Sequence, residues 1–155
     1  MAAKATTTPR QLANNRHAFH QYEVLEKFEA GIVLTGAEVK STRAHEINLK
    51  SGYASIEKGE VILKNIHISP YKLANDPDFN PERYRRLLLN RKEIDHIEKQ
   101  IHKNGLTLVP LSVYLKKGKI KVEIGLCKGK KQHDKRHDLK KKDQERQIAK
   151  HFRKH

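Results

Sequence analysis

Everything able to build a hydrophobic core lies before Lys128. From Lys128 to His155 the chain carries 12 Lys and Arg against 4 Asp and Glu, a net of +8 out of +15 for the whole chain. Leu139, Ile148, Ala149 and Phe152 are the apolar residues of that stretch, too few to offset the entropy of ordering it. The chain therefore reads as a basic body over 14–127 and a basic tail over 128–155 that is disordered or conditionally helical. Residues 1–13 lack the apolar stretch of a secretory signal and read as a disordered polar arm.

Within the body, Ile120, Val122, Ile124 and Leu126 alternate with Lys119, Lys121, Glu123 and Gly125. That period of two describes a strand with one face in a core and one in water. Leu106–Leu115 is a second strand, and Pro110 within it implies an edge or a bulge. Tyr22–Phe28 reads as a strand broken at Glu29-Ala30-Gly31 and resumed at Ile32–Leu34, with two helical turns over 37–43. Gly52–Glu57 and Glu60–Ile68 form a hairpin about Lys58-Gly59, with a bulge or twist near Asn65. Ser69–Pro81 is a loop, and Tyr84–Leu89 a short strand. Asn90 and Glu93 stand at capping-box spacing before an Ile94, Ile97, Ile101 stripe that Gly105 stops, which predicts a helix over 91–103. The pattern is mainly β with short helices (α+β), and an OB-like small β-barrel is its simplest closure.

With a pI near 9.9 and no Trp, the surface is strongly positive, so polyanions are the natural partners, nucleic acid ahead of anionic membrane. No run of 18 apolar residues exists to span a bilayer. The single cysteine, Cys127, excludes an internal disulfide and reads as a small core residue of a cytoplasmic protein. Lys128, Lys130, Lys131, Lys135 and Arg136 on a flexible segment suit phosphate contacts, as against a merely solubilising tail. His133 and His137 stand four apart, but the surrounding cations disfavour a metal, and no further ligands accompany them. Asn14–His17 and His20–Tyr22 combine amides, a cation and rings suited to unpaired bases. Glu29 and Glu38 read as isolated carboxylates, with no nucleophile triad or phosphate loop, so neither catalysis nor a cofactor is expected.

Four ordered blocks carry a resemblance. They are Asn15–Tyr22, Phe28–Ser41, Arg86–Ile94 and Lys128–Arg136. Over about 14–146 the chain resembles the SsrA-binding protein (small protein B) family, partners of transfer-messenger RNA. The resemblance implies an OB-like barrel and a non-enzymatic cytoplasmic role in trans-translation. Such a protein binds the tRNA-like domain of transfer-messenger RNA and delivers it to stalled ribosomes, its tail against small-subunit rRNA in the decoding centre and mRNA channel. By position, Asn15, Arg16, His20, Tyr22, Glu29, Leu88 and Lys121 would face RNA. His133, Asp134, Lys135 and Arg136 would act at the decoding centre, with His133 stacking on an rRNA base. Glu29 would accept from a base or a 2′-hydroxyl, or hold the bend at Gly31.

His45-Glu46 departs from the family's usual Gly-Lys. Gly tolerates a positive φ there; His reaches the same region at some cost, and Glu46 loses a positive charge. The alternative function is a ribosome-associated structural protein with an rRNA-penetrating extension. Composition fits both; the RNA that co-purifies separates them.

Overall fold

The computed structural model describes residues 9–130 and 132–153. In chain order its elements are β1 (Arg10–Asn14), α1 (Arg16–Gln21), β2 (Tyr22–Ile32), α2 (Gly36–Arg43), β3 (Ile47–Asn48), β4 (Tyr53–Glu57) and β5 (Glu60–Lys64). There follow β6 (His67–Ile68), β7 (Arg85–Leu88), α3 (Arg91–Asn104), β8 (Thr107–Lys116), β9 (Lys119–Gly129) and α4 (Gln132–Arg153). The chain is thus mostly β with a few helices.

The alternation seen in the sequence becomes β9, the longest-paired strand. It lies against β2 from Tyr22↔Gly129 to Gly31↔Lys121 and against β8 from Thr107↔Cys127 to Lys116↔Lys119. The pairings run β8–β4–β5–β7–β2–β9 and return to β8. One apolar set faces inward, with Ala30, Val122 and Val113 in register across β2, β9 and β8. Leu63, Ile68, Ile97 and Leu108, each at most 1% exposed, fill the same core. Burying such a side chain is worth about 1.5–3 kcal/mol.

Local signals placed several elements correctly. Lys58 and Gly59 take φ of 50° and 76°, which the tight two-residue turn between β4 and β5 requires. Gly105, at φ 62°, ends α3 in the left-handed region, and its amide bonds Ile101. His45 adopts φ 64°, the conformation that a glycine there would take freely.

Other expectations are corrected. Residues 10–13 of the expected arm belong to β1, which pairs with β8 and buries Leu12; the expectation for residues 1–8 lies outside the described residues. No break occurs at Gly31, because β2 is continuous and its register slips between Val24 and Glu26 instead. Pro110 sits at a register shift of β8, a strand paired on both sides, so it marks a bulge and not an edge. Asn90 makes no side-chain cap; its amide donates to the Glu93 carboxylate.

The outer face of β9 is wet only in part. Cys127 is buried there with Val109 and Leu111 under Ala18 of α1, a second small core. A Cβ on Gly125 would meet Leu111 Cδ1 at 2.8 Å, so that close packing requires glycine. Burial pushes the Cys127 thiol up to about 11, which suits an inert core residue.

The tail's backbone is helical from Gln132 to Arg153. Neither Gly nor Pro occurs after Gly129, and Lys, Arg, Gln and Glu are good helix formers. Its described side chains are exposed, and none of them joins the apolar core. No helix among the described residues is long and apolar enough to cross a membrane.

Candidate nucleic-acid interface

Register creates the first part of the site. Leu88 of β7 lies opposite Gly31 of β2, and Gly31 opposite Lys121 of β9, which in turn faces Tyr114 of β8. Their sheet neighbours Leu87, Ala30, Val122 and Val113 point into the core, so this row points outward. Gly31 carries no side chain, and a Cβ there would approach Leu88 Cβ to 3.3 Å. The result is a shallow hollow between an exposed Leu88 and the half-buried Lys121 amine, bordered by Glu29, Asn90 and Glu93. An apolar side chain beside a cation, over a dip in the sheet, can take a sugar or base edge with its phosphate.

Glu29 is exposed but tied to neighbouring side chains. Tyr114 Oη donates to its Oε2 at 2.5 Å and Lys116 Nζ at 3.2 Å. The Tyr114 hydroxyl, then Lys116 and Lys121, hold the Glu29 carboxyl below its ordinary value. Burial first, then the Glu29 carboxylate, pushes the Tyr114 phenol up. The carboxylate thus fixes Tyr114 on the row and Lys116 beside it, which explains an acid on a basic face better than a bend at Gly31.

A second groove adjoins the hollow. It runs between α2 and the β8–β9 turn, with Ile32, Val39 and Ile120 in its wall and Arg43, Lys119 and Lys121 along it. Arg43 escaped the sequence reading because only the fold brings α2 against the turn that carries the wet-face Lys119.

The remaining predicted residues gather at α1, six residues along β9 from Lys121, or about 20 Å. Arg16 is exposed, His20 and Tyr22 half-buried, and Lys128 exposed. Tyr22 packs partly against the small core under α1. Asn15 is a correction: it is 3% exposed and faces inward. Its Oδ1 accepts from the Ala18 amide at 3.2 Å, and its Nδ2 donates to the carbonyls of Pro110 at 2.9 Å and Leu49 at 3.1 Å. It caps α1 and ties that helix to β8. Lys130 joins tail to body, its amide donating to the Gln21 carbonyl and its ammonium to the Phe19 carbonyl, each at 3.0 Å. Arg136 is exposed on α4. Lys131, and the side chains of His133, Asp134 and Lys135, lie outside the described residues.

Glu38 is not isolated. Thr35 and Glu38 form a reciprocal capping box at the start of α2, a spacing legible in Thr35-Gly36-Ala37-Glu38. Glu38 also binds Arg83 Nη2 at 2.6 Å and Arg85 Nε at 2.5 Å, with Arg85 fully buried. Burial opposes the charge, but the Arg83 hydrogen bond, the Thr35 amide and Arg85 outweigh it and hold the carboxyl below its ordinary value. This cluster pins α2 to the start of β7, and so sets the height of Leu88. His45 secures the far end of α2, its Nδ1 donating to the Leu12 carbonyl at 3.0 Å.

These features define a class: a basic α+β domain with a cation-lined outer sheet face and a helical extension. The family model described as "SmpB protein" matches residues 12–154, and the chain belongs to that family. It is 50% identical over 142 residues to an SsrA-binding protein of Desulfitobacterium hafniense, covering 92% of this chain and 91% of that one. It is 52% identical over 142 residues to an SsrA-binding protein of Streptococcus pyogenes serotype M3, covering 92% of each. A solved chain from "tmRNA-SmpB: a journey to the center of the bacterial ribosome" superposes with a TM-score of 0.65 at 43% identity, over 77% of this chain and 85% of that one.

Proposed function

We propose that this chain is an RNA-binding adaptor of trans-translation in the bacterial cytoplasm, without catalytic activity of its own. It binds the tRNA-like domain of transfer-messenger RNA and delivers it to stalled ribosomes. The closed circuit of strand pairings supports reading residues 14–127, with β1 added, as an OB-like barrel. The observation that carries the proposal is the outward row Leu88–Gly31–Lys121, with Glu29 bracing Tyr114 and Lys116 beside it. That row offers apolar contact and phosphate contacts on one rigid surface, which suits recognition of a folded RNA by shape.

The α1 cluster of Arg16, His20, Tyr22 and Lys128 forms a second contact region at the root of the tail. Lys130, anchored to the Phe19 and Gln21 carbonyls, directs the tail from there. Within the tail, His133, Asp134, Lys135 and Arg136 act at the decoding centre, and the cations beyond follow the mRNA channel. Capture of the full-length chain from cells, followed by sequencing of the bound RNA, tests the reading. One small RNA with a tRNA-like end is expected; recovery of ribosomal RNA alone would refute it in favour of a structural ribosomal protein.

A further inference from the structure

The outward face that bears Leu88 continues across β7, β5 and β4 into residues that no RNA contact has yet claimed. Tyr53 of β4 pairs with Lys64 of β5, and the Lys64 ammonium lies 5.0 Å from the ring centroid of Tyr84, just before β7. Lys64 is itself fixed by the Glu57 carboxylate. In the next row Ser55, Ile62 and Arg86 are in register, with Arg86 on Glu60 at 3.2 Å. Two large rings are thus left in solvent, Tyr84 62% and Tyr53 43% exposed, about two strand spacings, or 10 Å, apart. Tyr84 stands four residues from Leu88, about 13 Å along the strand.

Exposed rings are costly unless something covers them, and their surroundings discriminate between coverings. Lys64, Glu57, Arg86 and Glu60 interrupt the face, so it lacks the continuous apolar centre of a protein interface. A cation braced against one ring, with a second ring across the strand, instead matches the pairing of charge and stacking that holds unpaired nucleotides. The chain's net charge of +15 favours the same polyanion.

We propose that Tyr53 and Tyr84, braced by Lys64, form a stacking platform for unpaired bases of the RNA whose folded domain docks at Leu88 and Lys121. The proposal rests on the function argued above. The platform takes single-stranded nucleotides, while the Leu88–Lys121 row takes folded RNA by shape.

Fluorescence anisotropy with the full-length chain tests this, using two labelled probes at fixed salt: a short oligoadenylate and the isolated tRNA-like domain. Tyr84→Ala and Tyr53→Ala should each weaken oligoadenylate binding about tenfold. Both variants should leave the affinity for the tRNA-like domain unchanged. Tyr84→Phe should bind like the parent, because stacking uses the ring and not the hydroxyl. Lys121→Ala should show the reverse selectivity. Unchanged oligoadenylate binding in both alanine variants would overturn the platform, as would an equal loss in Tyr84→Phe. If the parent binds oligoadenylate through these rings but ignores the tRNA-like domain, the platform stands and the broader function falls.

Discussion

Replacing Glu38 with Gln tests whether one buried carboxylate holds the outward Leu88 face of the sheet in place. The side chain is 1% exposed, and its two oxygens accept from Thr35 N, Arg83 Nη2 and Arg85 Nε, all donors. A glutamine keeps one acceptor and turns an NH2 group toward donors on the other side. Arg85, fully buried, keeps its bonds to the Arg83 and Pro81 carbonyls but loses its counter-charge. Breaking a buried pair in this way costs about 3–5 kcal/mol. With an m-value of about 1.5 kcal/mol/M, the urea midpoint should fall by about 2–3 M. The sign with pH follows from the folded carboxyl lying below its ordinary value of 4.5. The parent draws stability from Glu38 above the unfolded pKa and loses it as pH falls through the folded one. Glu38→Gln should therefore be destabilised at neutral pH and show a shallower further loss below about pH 4.5. Urea titrations of both chains at pH 7 and pH 3.5 measure this. A midpoint shift under about 0.5 M at pH 7, or identical acid sensitivity, would refute the assignment, since about 1 kcal/mol is what an exposed pair contributes.

Lys121→Ala should weaken binding of the tRNA-like domain by about 1–3 kcal/mol in a filter-binding titration, with the melting temperature unchanged because the side chain points out of the core. Asn15→Ala should do the opposite. Loss of the α1 cap and of two donations to buried carbonyls should cost about 2–3 kcal/mol in chemical denaturation, with RNA affinity preserved in the folded fraction. Ending the chain after Lys131 should leave the body folded and most RNA affinity intact, yet abolish peptide tagging on a message lacking a stop codon. Normal tagging by that truncated chain would remove the tail from the mechanism.

Much of the site was legible because its signals are local. The alternation around Lys121 fixed that residue outward, and the Lys58-Gly59 pair announced its turn; the positive φ at His45 came from the family resemblance, whose usual residue there is Gly. What stayed hidden depends on partners far along the chain. Asn15 reads as a base-binding amide until Pro110, 95 residues later, takes its donor. Glu38 reads as solitary until Arg83 and Arg85 close around it, and Gly125 reads as part of a wet face until Leu111 packs against it under α1. Periodicity and turn chemistry act over a few residues, so sequence determined the strands, their facing and the charge of the tail. Pairing of buried polar groups is settled only when distant segments meet in a medium without water, and the tertiary structure alone decided which polar residues serve the fold and which are left exposed.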